Sequence, residues 1–236
     1  MSSVADDRRN PYEDKAHPWS SHQQIVRALA RLPERSRVLD VGAASGTLGR
    51  LCVPLKLRVR GIEPEAKWIE GGRAHYAEVL ISGVDEAPDA FLSGHDAVVC
   101  GDVLEHLARP EVTLGRLAAL QASGCMFVVS VPNVANVWVR LNLLCGRFNY
   151  ADRGILDRTH LRFFTRRSFR ELLESAGLQV EHLSATPIPL DLVSPLFART
   201  AIGRFLFTML AGATRAWPTM LGFQWIGVCS KRGSTS

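Results

Sequence analysis

The segment RVLDVGAASGTLGR at 37–50 narrows what this chain can fold into more than any other. A short apolar run enters a turn built on Gly42, Ala44 and Gly46, then passes into helix-forming residues near Thr47. Small residues let the backbone turn sharply and let a ligand come close, and the start of the helix offers free N–H groups. About twenty residues on, Glu63 ends a second apolar strand, LRVRGIE at 57–63. A carboxylate there can accept both hydroxyls of a ribose.

The same alternation continues along the chain. Strands are expected at 78–82 (EVLIS), 96–100 (DAVVC), 124–132 (GCMFVVSVP), 178–184 (LQVEHLS) and 223–231. Helices are expected at 22–32, near 65–75 and at 168–177, the last ended by Gly177. Strands apolar on both faces between helices predict an α/β fold. The expectation is a Rossmann-like, seven-stranded, mostly parallel sheet with helices on both faces. The 236 residues are 47% hydrophobic and 22% charged, which excludes disorder and suits one domain over 22–231. Residues 1–21 read as a flexible N-terminal arm and 232–236 as a tail. Residues 186–221 read as a helical insert before the last strand, serving as a lid. The five cysteines form no C-x-x-C pair, and neither an apolar leader nor a membrane-length apolar run is present. A cytoplasmic location is expected.

A pyrophosphate binder wants G-x-G-x-x-G, whereas the spacing here is G-x-A-x-G. Asp40, just before the turn, would repel a pyrophosphate but suits a ligand bearing an ammonium group. These residues favour S-adenosylmethionine over NAD. With VLDVGAASG at 38–46, GIEPE at 61–65, DVLEHL at 102–107, SVPN at 130–133 and DRTHLRFFT at 157–165, the chain resembles the class I S-adenosylmethionine-dependent methyltransferases. The last three motifs resemble the bacterial relatives of the ubiquinone-biosynthesis O-methyltransferases. The resemblance implies that Gly42, Ala44 and Gly46 line the methionine part of the cofactor, with Asp40 near its amino group. It further implies Glu63 on the ribose, Pro64 beside the adenine, and Gly101 and Asp102 on the opposite wall. The chain departs from the family at Ala44, where a middle glycine is usual, and at SGVDE, which leaves the role of Asp85 open.

Asp102, Glu105 and His106 fall at i, i+3 and i+4 of a helix expected to start near Asp102, and so share one face. Asp102 and Glu105 also read as a capping box. His160 lies in the connection after the fifth strand, and ligands of open parallel sheets bind beyond the carboxyl ends of the strands. These residues should therefore converge. O-methyl transfer needs the acceptor proton removed, which suits His160 as general base, with His106 next in line and Glu105 beside them. A rival arrangement makes Asp102, Glu105, His106 and His160 ligands of one divalent ion, as in the similar small-RNA 2′-O-methyltransferases, and suits Mn²⁺ or Zn²⁺ better than Mg²⁺.

Eight arginines between Arg140 and Arg170 face only Asp152 and Asp157, and the chain carries a net charge of +5. That balance points to an anionic acceptor: a small molecule, a sugar or a lipid-linked intermediate. Nucleic acid is disfavoured, because the aromatics are too few for a stacking track. AIGRFLFTMLAGATRAW at 201–217 reads as an amphipathic helix with Arg204 and Arg215 toward water, either a lid or a membrane-surface helix. A non-catalytic cofactor-binding module and transfer to nitrogen or carbon stand as alternatives.

Overall fold

The computed structural model describes residues 18–190 and 200–233. Most of the expected arm, residues 191–199 of the insert and residues 234–236 of the tail lie outside them. The strands are β1 (Arg37–Val41), β2 (Arg58–Ile62), β3 (Glu78–Leu80), β4 (Ala97–Gly101), β5 (Met126–Pro132), β6 (Leu178–Thr186) and β7 (Gln224–Lys231). They form one seven-stranded sheet of order β3-β2-β1-β4-β5-β7-β6. The first five pair in parallel, and β7 runs antiparallel to both β5 and β6.

Val41 pairs with Ile62 on one side and Cys100 on the other, so the carboxyl ends of β1, β2 and β4 are level. The loops that follow these strands therefore open at a common edge. Both sheet faces are apolar, as the strand sequences require. Leu39, Val98 and Phe127 pack on one face against α5 (Pro110–Ala119) and α7 (Arg166–Ser175). Val38, Val99 and Val128 pack on the other against α1 (Ser21–Leu29) and α2 (Thr47–Cys52).

Local chemistry sets the element ends. Ser20 accepts the Gln23 N–H and starts α1, and Trp19 stacks 4.4 Å from the Arg215 guanidinium, so these two residues join the fold. Thr165 and Ser168 form a capping box at the start of α7, and Gly177 follows its end at φ +81°. The helix expected over 65–75 is only α3 (Ala66–Ile69), followed by Gly71 and Gly72. A Cβ on Gly72 would stand 2.3 Å from the Ser45 carbonyl oxygen, so the pair of glycines lets the turn after β1 lie against this segment.

One difference lies in the second half. The connection 133–167, where the sequence pattern predicts no helix, contains α6 (Val137–Leu144), capped by Asn136. It also has its own small core of Val139, Ile155 and Leu156. In the insert, α8 (Ala201–Ala216) and α9 (Pro218–Leu221) precede β7. No helix among the described residues is long and apolar enough to cross a membrane.

Candidate active site

The turn after β1 is held from below by two carboxylates. Gly42 and Gly46 sit at φ +76° and +77°, and a Cβ on either would fall 2.6 Å from Val103 Cγ2 or Gly72 Cα. Ala44 also lies in the left-handed region, at φ +44°, which costs an L-residue roughly 1–2 kcal/mol. Its N–H donates to Glu63 Oε2 at 2.7 Å, and the Glu65 N–H donates to Glu63 Oε1 at 3.0 Å. These charge-assisted bonds offset the strain and fix the Glu63 carboxylate, each oxygen of which keeps a lone pair for a hydroxyl. Pro64 is exposed beside it.

Asp40 is buried under the turn and accepts the Tyr76 hydroxyl at 2.6 Å. Tyr76 in turn accepts the Gly49 N–H at 3.1 Å. Burial pushes the Asp40 carboxyl up to about 7; the Tyr76 bond opposes this, and the nearby Glu63 charge adds to it. Sequence reasoning missed Tyr76. Its signal was Gly49 inside a helix and Gly61 inside a strand, where neither has a turn to make: Cβ atoms there would stand 2.4 and 3.0 Å from the tyrosine ring.

At the end of β4 the expected helix does not form. Gly101 ends the strand, Asp102 adopts φ +57°, and only a single 3-10 turn follows, Leu104–His106. Asp102 is drawn elsewhere: its carboxylate accepts Ser130 Oγ at 2.9 Å and Gln224 Nε2 at 2.6 Å. The capping box with Glu105 is therefore absent. Gln224 is a second residue that sequence reasoning missed, because nothing near it in the chain announces a partner 122 residues away.

The 3-10 turn and the His160 loop do meet. The Glu105 carbonyl accepts the N–H groups of Leu161 at 2.8 Å and Arg162 at 3.0 Å, and Arg162 Nε donates to the Ala108 carbonyl at 3.0 Å. His106 and His160 come edge to face, with ring centroids 4.8 Å apart. His160 Nδ1 faces the Ile155 carbonyl at 3.1 Å, and His106 Nδ1 faces the Thr159 carbonyl at 3.3 Å. A carbonyl can only accept, so both rings carry a proton on Nδ1, which leaves Nε2 as the nitrogen open to a second proton or a metal. Burial lowers the His160 pKa below its ordinary value; the Ile155 carbonyl works against this and His106 reinforces it.

Glu105, buried to 1% exposure, joins the two imidazoles: donor atoms from Glu105, His106 and His160 lie within 4.8 Å of one another. One carboxylate and two imidazoles suit a divalent ion of borderline softness. Asp102, tied to Ser130 and Gln224, stands outside this group, so the four-ligand set expected from sequence reduces to three.

The arginine field also thins. Arg158, Arg167 and Arg170 pair with Asp152, Glu171 and Glu174, and Arg140 donates to the Ala135 carbonyl. With Arg162 committed to Ala108, only Arg147, Arg153 and Arg166 carry neither kind of bond among the described residues.

This sheet order, with an antiparallel β7, a glycine turn after β1 and a buried acid after β2, defines a class I S-adenosylmethionine-dependent methyltransferase fold. The family model described as a methyltransferase domain matches residues 14–183. The chain belongs to that family, and its cofactor is S-adenosylmethionine. It is 27% identical over 164 residues to a ubiquinone biosynthesis O-methyltransferase of Xanthomonas axonopodis pv. citri, covering 66% of this chain and 68% of that one. The mitochondrial enzyme of the same name from Mus musculus is 27% identical over 158 residues, 61% of this chain but only 42% of its own length. Among solved structures, magnesium protoporphyrin IX methyltransferase from Synechocystis PCC 6803 with bound SAH superposes with a TM-score of 0.60 at 15% identity, over 90% of this chain and 84% of that one. An S-adenosylmethionine-dependent methyltransferase from Archaeoglobus fulgidus gives 0.57 at 17% identity, over 89% and 94%.

Proposed function

We propose that the chain transfers the methyl group of S-adenosylmethionine to a hydroxyl oxygen, with His160 as the base. The observation that carries this reading is the His160 ring: largely buried, neutral, and pinned through Nδ1 so that its Nε2 lone pair remains. When bound, S-adenosylmethionine supplies an electrophilic methyl carbon. The Glu63 carboxylate takes the ribose hydroxyls, Pro64 flanks the adenine, and Gly42, Ala44 and Gly46 let the methionine portion lie on the backbone. Asp40 balances its ammonium group, and Gly101 and Asp102 form the far wall. His160 Nε2 takes the acceptor proton as the acceptor oxygen forms its bond to carbon and the carbon–sulfur bond breaks. His106 is placed to share that proton. The names of the Xanthomonas and mouse relatives support oxygen as the acceptor atom. The unpaired arginines support an anionic acceptor, whether a small molecule, a sugar or a lipid-linked compound.

A second reading rests on the cluster of Glu105, His106 and His160. A divalent ion held there would lower the pKa of an acceptor hydroxyl and orient it, and the two Nε2 lone pairs serve that role equally well. The deciding experiment is transfer of labelled methyl groups into fractionated extract, with and without a chelator. Label in one fraction names the acceptor class. Its survival under chelation, with loss in His160→Gln, supports the histidine base; loss under chelation and recovery with Mn²⁺ or Zn²⁺ supports the metal. Cofactor binding with no transfer to any fraction would overturn both.

A further inference from the structure

The exposed apolar surface of this protein is unevenly placed. Of the fifteen large apolar side chains exposed among the described residues, twelve fall between Trp138 and Trp217. The helix α8 shows why. Its inner face is Gly203, Phe207, Ala211 and Thr214, a narrow surface of mostly small residues. Its outer face carries Ile202, Phe205, Leu206 and Met209 at i, i+3, i+4 and i+7, exposed by 75%, 63%, 47% and 58%. A lid closed over the cleft would bury such a stripe, and this one faces outward. The helix α6 does the same with Trp138, Leu141 and Leu144. The two elements share a root: the side-chain amides of Asn133 and Asn136 both donate to the Gly222 carbonyl, at 2.8 and 2.9 Å.

We propose that α6, α8 and α9 form a docking surface for an anionic lipid bilayer. Charge selects this occupant: residues 137–150 and 200–222 contain Arg140, Arg147, Arg204 and Arg215 and no aspartate or glutamate. Apolar side chains enter the acyl boundary, while Arg147 and the net positive charge of these two segments face lipid phosphates. Trp138 and Trp217, both exposed, suit the interfacial level where indole rings settle. With 16 residues, α8 is about 24 Å long and lies along a surface without crossing it. An aromatic path leads inward: Phe148 stands 5.8 Å from Phe163, which stands 6.3 Å from His160. The docking surface holds whatever the methyl acceptor is, and a lipid-borne acceptor would reach His160 along that path.

The test is co-sedimentation of the full chain with vesicles of phosphatidylcholine alone or mixed with phosphatidylglycerol, at low and high salt. Binding is expected to the mixed vesicles, weakened by salt and accompanied by a blue shift of tryptophan emission. Phe205→Glu with Met209→Glu should lower the partition coefficient at least about tenfold. Val53→Glu with Val112→Glu makes the same charge change at exposed apolar positions elsewhere and should lower it far less. Circular dichroism melts verify that both double variants fold. Absence of binding to the mixed vesicles, equal losses in the two double variants, or a dimer that Phe205→Glu with Met209→Glu dissociates while vesicle binding persists unchanged would each overturn the proposal.

Discussion

Replacing Asp40 with asparagine tests the electrostatics beneath the turn after β1. The Asp40 carboxyl is raised from its ordinary 3.8 to about 7, chiefly because burial strips it of water. The folded chain therefore keeps this proton to higher pH than the unfolded chain. Between about pH 4 and 7 the unfolded chain releases it first, so stability falls as pH rises through that window and is level above it. A rise of about 3 pH units, at about 1.4 kcal/mol each, amounts to about 4 kcal/mol. Asparagine has the same shape, stays neutral, and offers an amide oxygen to the Tyr76 hydroxyl. The variant should match the wild type near pH 4 and exceed it above pH 7 by up to about 4 kcal/mol, about 10 °C in melting temperature for a chain of this size. Thermal melts of both proteins from pH 4 to pH 8 measure the gap. A gap that stays constant with pH would refute the reasoning. Adding S-adenosylmethionine extends the test, because a bound ammonium group favours the carboxylate and should narrow the gap at pH 8. An unchanged gap at saturation would remove Asp40 from the amino-group site.

Other outcomes follow from the same contacts. Tyr76→Phe strands the Asp40 carboxylate and the Gly49 N–H, and should cost about 2–4 kcal/mol at pH 8 and less at pH 5, where Asp40 is protonated, as read by urea unfolding. Gly72→Ala places a Cβ 2.6 Å from Gly46 Cα and should raise the KM for S-adenosylmethionine about tenfold, measured by initial rates. His160→Gln should lower kcat by a factor of about 10²–10⁴ while leaving cofactor affinity unchanged in calorimetry. Because the His160 pKa is lowered, wild-type kcat should stay level through pH 7 and fall only below the ordinary histidine value of 6.5. Thr165→Ala removes the α7 cap and should cost about 1 kcal/mol in denaturant titration.

The sheet was legible because its strands are buried on both faces and read as apolar runs, and because Gly42, Ala44 and Gly46 mark the turn after β1 by their size alone. That an acid follows β2 was legible from the position of Glu63 along the chain; that it accepts the Ala44 N–H was not. The helix at Asp102 was misread: i, i+3, i+4 spacing carries no information about Ser130 and Gln224, which draw the Asp102 carboxylate away from that helix. The helix α6 was missed because its core partners, Ile155 and Leu156, come later within the same connection. For α8 the amphipathic pattern was visible, with Arg204 and Arg215 exposed as expected. Which way the apolar stripe faced was not, because a helix packed by Gly203 and Ala211 buries its smallest residues.

The convergence of His106 and His160 follows from topology, but the orientation of their rings follows from groups of the adjoining loop. Ile155 and Thr159 each place a backbone oxygen against an Nδ1 nitrogen, and the Glu105 carbonyl ties the two loops together. Any side chain at 155 presents the same carbonyl, whereas at 159 the Thr159 hydroxyl, which donates to Asp157, also faces His106 Nδ1 at 3.2 Å, so the residue pattern encodes the tautomer only at His106. The tautomer that makes Nε2 of each ring a proton acceptor also makes it a metal ligand. A base and a bound ion therefore require the same backbone geometry here, and what separates them is the third donor. Glu105 is nearly fully buried, with its main chain already engaged by Leu161 and Arg162. Glu105→Gln keeps that backbone stitch and the shape of the side chain but removes the anionic ligand, so it should abolish metal-dependent turnover while sparing a turnover that needs only the imidazoles.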